Sequence, residues 1–127
     1  MSAVTEFARL SGALFMGGEF VPSASTQRLA VIDPATEETA GEIADATSAE
    51  VEQALDLALG AGKVWNAMDM RSRAVVMHEI AARMRADKAI YAECLTREEG
   101  KPFKEALDEV SWCATAMDYY DEIARHE

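Results

Sequence analysis

Positive charge is scarce in this sequence. Twelve lysine and arginine residues stand against 23 aspartate and glutamate, for a net charge of -11. A surface of that sign repels phosphate backbones and anionic lipid, which argues against nucleic acid and membrane as partners. Cysteine is equally thin. Cys94 and Cys113 both fall on helical patterns, and two cysteines make neither a disulfide framework nor a zinc site. His78 and His126 have no companions at ligand spacing, so no metal centre is expected. No run approaches the ~18 consecutive apolar residues of a membrane span. The first residues mix Glu6 and Arg9 among small side chains, without the continuous apolar stretch of a secretory signal. A cytoplasmic location is the expectation. There is no repeat and no low-complexity tract.

What is present reads as one globular domain: 127 residues, 50% hydrophobic and 28% charged. Leu14-Phe15-Met16 and Glu19-Phe20-Val21 flank Gly17-Gly18, a pair able to take positive φ at both turn centres, which predicts a β-hairpin. Leu29 to Ile32 and Thr39 to Ala44 read as two further strands around Asp33-Pro34-Ala35-Thr36, whose Asp and Pro suit a type I turn. Helices follow. Thr47 and Glu50 have capping-box spacing, Asp69 and Asp87 are candidate caps, and Gly100 fits the left-handed position past a helix end. The expected stripes are Val51, Ala54, Leu55, Ala58 and Trp65 on the first helix and Val76, Met77, Ile80 and Met84 on the second. Gly60 and Gly62 are expected to fray or bend the first helix. The fold class is therefore α+β: antiparallel hairpins, then four helices.

The segment Glu99-Gly100-Lys101-Pro102 organises the rest, because Pro102 opens the longest helix, running to about Arg125. One apolar stripe contains Phe103, Ala106, Leu107, Val110, Cys113, Ala114, Met117, Tyr120 and Ala124. A second set, Trp112, Ala116, Tyr119 and Ile123, lies ~160–220° from Phe103 at helical periodicity. A helix apolar on opposite faces needs two partners, and little of this chain remains to supply the second. Cys94 and Cys113 read as small core residues, His78 as a partly exposed surface histidine, Lys101 as solvated or satisfying nearby carbonyls, and Glu98 and Glu99 as a solvated face.

Four blocks carry a likeness to a known family. They are Leu14 to Val21; Val31-Ile32-Asp33-Pro34-Ala35-Thr36-Glu37-Glu38; Arg71-Ser72-Arg73 with Ile80 and Ala81; and Glu98-Glu99-Gly100-Lys101-Pro102 followed by Glu105-Ala106, Glu109-Val110 and Tyr119-Tyr120. In order and spacing they resemble the N-terminal part of the NAD(P)-dependent aldehyde dehydrogenase superfamily, over about Leu14 to Arg125. Residues 1–13 would be an N-terminal extension and 14–127 an incomplete segment of the α/β dehydrogenase fold. Glu37 departs from the family's usual Gly, which puts the shape of that turn in doubt.

The resemblance implies an oxidoreductase taking an aldehyde to a carboxylic acid with NAD or NADP. A cysteine thiolate attacks the carbonyl, hydride leaves to the nicotinamide, and water hydrolyses the thioester. Family members run to several hundred residues, and their nucleophile and phosphate-binding segments lie downstream of the matched part. No catalytic, cofactor-binding or metal-binding residue is therefore expected here, and the chain alone is expected to be inactive. The Pro102 helix helps line the aldehyde passage in the family, which implies substrate-entrance roles for Trp112, Ala116 and Tyr119. The partners implied are a small aldehyde, the remainder of the dehydrogenase and, once complete, further copies in a homo-oligomer. Two rival readings stand beside this one: a stand-alone helical protein-interaction module, and one half of a split dehydrogenase.

Overall fold

The computed structural model describes residues 11–124. Four strands and four helices follow in chain order: β1 (Ala13–Met16), β2 (Glu19–Pro22), β3 (Arg28–Ile32), β4 (Thr39–Ala44), α1 (Ser48–Ala67), α2 (Met70–Ala86), α3 (Lys88–Glu99) and α4 (Phe103–Ala124). The strands form two separate antiparallel pairs, β1 with β2 and β3 with β4. This is the α+β arrangement the patterning predicts.

In the first hairpin Gly17 and Gly18 both have positive φ, 61° and 88°, so the turn closes without a Cβ penalty. Across it Phe15 faces Phe20, with ring centroids 4.9 Å apart. The second hairpin closes differently from a simple type I turn. The Glu37 N–H donates to the Asp33 carbonyl at 2.8 Å, one residue later than that turn would have it, and Glu37 takes φ 61°. The family's missing Gly is thus replaced by a glutamate held in the left-handed region. The Asp33 carboxylate holds the turn by accepting the Ala35 N–H at 2.9 Å.

Caps set the helix starts. Thr47 and Glu50 form a full capping box, and the Asp69 carboxylate accepts the Ser72 N–H and hydroxyl. Asp87 sits at the start of α3, but its side chain makes no cap bond; its carbonyl accepts from Ile90 and Tyr91 instead. Gly100 ends α3 at φ 75° beneath Pro34, where an added Cβ would come 2.8 Å from the proline ring. Pro102 stands one position before the first residue of α4, its carbonyl accepting the Ala106 N–H.

The core lies where α2, α3 and α4 meet, and it is made of small side chains: Ala74 and Ala81 of α2, Ala92 of α3, and Ala106, Val110 and Ala114 of α4. Small residues let helix axes approach closely. Among the described residues no large side chain is fully buried. On α4 this seam is narrower than the apolar stripe in the sequence, because alanine-to-alanine approach leaves the stripe's margins outside. Phe103, Cys113 and Tyr120 are exposed, which corrects the expectation that Cys113 is a core residue. On α2, Ile80 is exposed for the same reason.

Helix α1 runs unbroken through Gly60 and Gly62. Its expected core stripe is not buried: Val51, Leu55 and Ala58 are exposed, and only Ala54 and Trp65 are half-buried. The hairpin β1–β2 covers its first turns alone, where Leu14, Phe15, Met16, Val51 and Ala54 line a small recess of about 130 Å³. What fastens α1 is polar. Glu50, buried at 9% exposure, accepts from the Thr47 N–H at 2.8 Å, the Ala24 N–H at 2.7 Å, and the Thr47 and Ser23 hydroxyls. These donors, the Thr47 backbone first, hold its pKa down to about 2.

Candidate substrate-entrance face

With Ala106, Val110 and Ala114 turned to the helix seam, helical periodicity turns Trp112, Ala116 and Tyr119 the other way. Trp112 is 76% exposed and Tyr119 is 60% exposed, and Ala116 is exposed between them. The Tyr119 and Tyr120 rings meet edge to face at 5.4 Å, which stiffens that end of the face. Ile123 continues it at 41% exposure. Nothing in the described fold covers this side of α4.

The same face turns acidic toward the start of the helix. A recess of about 400 Å³ is lined by Lys101, Glu105, Asp108, Glu109 and Trp112. Lys101 is not solvated alone, as its position in a turn suggested: it pairs with Glu109, and Glu99 lies at 3.8 Å. The hydrogen bond that Lys101 donates to Glu109, with a smaller coulombic contribution from the same residue, raises the lysine pKa above its ordinary value. One acid of the recess is thus neutralised, while Glu105 and Asp108 remain on the side of Trp112.

Behind the face, side chains hold α4 to its neighbours. His78 and Arg85 of α2 both bind Asp118, the histidine through Nδ1 at 2.7 Å. The His78 bond and then the Arg85 bond hold the Asp118 carboxyl below its usual range. His78 is partly exposed, as its position off the apolar stripe suggested, and it also serves as an interhelical link. Arg97 of α3 reaches the buried Asp33 at 3.7 Å, tying the second hairpin to the bundle. None of these pairs has a recognisable signal in the sequence, since the partners lie far apart in the chain.

Among the described residues no group of three or more His, Cys, Asp or Glu is arranged to hold a metal ion. Cys94 and Cys113 are free thiols, half-buried and exposed.

Relatives place this geometry. The sequence profile of the aldehyde dehydrogenase family matches residues 20–127. The chain belongs to that family. An NADP-dependent glyceraldehyde-3-phosphate dehydrogenase of Zea mays is 38% identical over 96 residues, which are 76% of this chain and 19% of the relative. Betaine aldehyde dehydrogenase 1 of Oryza sativa subsp. japonica is 34% identical over 116 residues, 87% of this chain and 23% of that protein. The crystal structure of lactaldehyde dehydrogenase from Escherichia coli superimposes with a TM-score of 0.86 at 28% identity, over 92% of this chain and 24% of that one. This aldehyde dehydrogenase chain therefore spans about a fifth to a quarter of the length of its relatives.

NAD or NADP, the family's cofactors, find no phosphate cradle among the described residues. The strand-to-helix junction from β4 to α1 is Asp45-Ala46-Thr47, without glycine; the buried Glu50 carboxylate accepts the Thr47 N–H there, and the Thr47 hydroxyl accepts the Glu50 N–H.

Proposed function

We propose that these 127 residues are the front portion of an aldehyde dehydrogenase whose whole form oxidises a small aldehyde to a carboxylic acid with NAD or NADP. Residues 1–13 would be an extension and 14–127 an incomplete domain segment. Its part is structural: a scaffold against which the catalytic segments pack, and one wall of the aldehyde's way in. Trp112 is the main residue of that wall, with Ala116 and Tyr119 beside it. The observation that carries this reading is the exposure of Trp112 and Tyr119 on the side of α4 facing away from its own bundle. A large indole left in water wants a neighbour or a ligand.

A complete chain would act as a cytoplasmic homo-oligomer, a reading supported by the family and by the acidic, membrane-averse composition. No described helix is long and apolar enough to cross a membrane.

The test is Trp112→Ala in the whole polypeptide. Removing the indole widens the entrance, so kcat/KM should rise for bulky aldehydes relative to slim ones. An unchanged ratio across the series would remove Trp112 from the passage. The purified 127-residue chain should oxidise no aldehyde with NAD or NADP; measurable turnover would overturn the assignment as a non-catalytic portion.

A further inference from the structure

The recess of about 400 Å³ beside Trp112 has a chemical character that the bulk of the indole alone does not describe. Glu105, Asp108, Glu109 and Trp112 follow one another at short helical spacing, so they stand as neighbours along one side of α4. Three carboxylates and a single ammonium line the recess. The ammonium, Lys101, is already committed: it donates to Glu109, and Glu99 lies at 3.8 Å. Asp108 is exposed, one helical turn from an indole that is 76% exposed. We infer that Asp108 and Trp112 together set a charge preference at the entrance, favouring aldehydes that bear an organic ammonium group over those that bear a carboxylate or phosphate.

Carboxylates on a surface do not by themselves mark a ligand, since water satisfies them. The indole narrows the chemistry. Its face attracts a cation through the ring quadrupole, and its apolar area suits the alkyl groups of an alkylammonium, as a strongly hydrated metal ion does not. An anionic aldehyde meets the opposite field. Asp108 and Glu105 repel it, and the recess lysine that could have received it is held by Glu109. This charge rule rests on the placement of Trp112 in the entrance, and it adds Asp108 as a residue that selects by charge where the indole selects by size.

Steady-state kinetics on the whole polypeptide test it with a size-matched pair, trimethylammonioacetaldehyde and tert-butylacetaldehyde, in which a charged nitrogen replaces a carbon. The ratio of their kcat/KM values is followed from native to variant, so their unequal intrinsic reactivity cancels. Asp108→Asn should lower the cation-to-neutral ratio about two- to fivefold at low ionic strength, the size of a partly exposed charge pair. That difference should shrink in about 1 M salt, where such charges are screened. Asp108→Glu should keep the native ratio. Lys101→Gln, which frees Glu109, should raise it. A general disturbance of the fold slows both aldehydes alike, so opposite signs in the two variants report charge. An unchanged ratio in Asp108→Asn, or a fall in Lys101→Gln, would overturn the charge rule. If Trp112→Ala still shifts the preference for bulky aldehydes in that case, the entrance reading stands and only the charge rule falls; if neither variant moves its ratio, both fall.

Discussion

Helices α1 and α4 are both long and amphipathic, yet they are held in unlike ways. Helix α4 presses Ala106, Val110 and Ala114 into a close seam with α2 and α3, and ion pairs from His78, Arg85 and Lys101 brace it. Helix α1 carries larger apolar side chains and buries almost none of them: Leu59 and Val64 are each 68% exposed. It is held by a capping box, one buried carboxylate and the edge of a hairpin. An apolar stripe therefore states that a helix needs a partner, not that the same stretch of chain provides it. The chain itself matches about a fifth of the length of its Zea mays relative.

The sharpest way to break this comparison is to disturb the seam. Ala114→Leu forces a branched side chain between touching helices and should destabilise by about 1–3 kcal/mol, read as a lower denaturation midpoint. If the midpoint does not move, the alanine seam is not the core. Gly100→Ala should come next, at about 1–2 kcal/mol for a Cβ in the left-handed region, with the approach to Pro34 adding to it. The conservative companion Gly100→Asn, better tolerated at positive φ, should recover part of the loss.

On the α1 side the polar fastening should dominate. Thr47→Ala removes the cap and should cost about 1 kcal/mol. The Glu50 carboxylate has its pKa depressed to about 2 from 4.5, so its contribution is fully present above about pH 4.5 and is lost as pH falls towards 2. Acid titration followed by circular dichroism should show this loss in the native chain and a flatter profile in Glu50→Gln. A flat native profile would mean that the staple from α1 to the Ser23–Ala24 loop is not formed. The smallest effect should come from Leu59→Gln in the isolated chain, within about 0.5 kcal/mol because the side chain is already in water. In a longer polypeptide the same change should cost several times more if α1 becomes covered. Equal costs in both settings would erase the distinction drawn between the two helices.

Much of the local architecture was legible from residues close together in the chain. Gly17-Gly18 sets a hairpin because two successive positive φ angles suit glycine. Thr47 with Glu50, Asp69 with Ser72, and Gly100 each act within four residues, which is the reach of sequence patterning. The expected errors follow from the same limit. Cys113, Val51 and Leu55 were assigned to a core by periodicity, but periodicity fixes direction around a helix and not what lies there. Gly60 and Gly62 lower helix propensity without ending the helix, since each costs only about 1 kcal/mol against a well-capped twenty-residue element. The outward side of Trp112, Ala116 and Tyr119 was readable from its angle to Ala106 and Val110.

By itself, then, the sequence determined the strand and helix order, the turns and caps that bound them, the family, and the existence of a second apolar side on α4. Those are matters of local conformational preference and repeating side-chain direction. Only the tertiary structure decided that the seam is built from alanines, that Lys101 pairs with Glu109, that Arg97 reaches Asp33, and that His78 sits between Asp118 and Glu122. Each of those depends on how close two helices or a helix and a turn come in space, and that distance is set by packing between segments far apart in the chain.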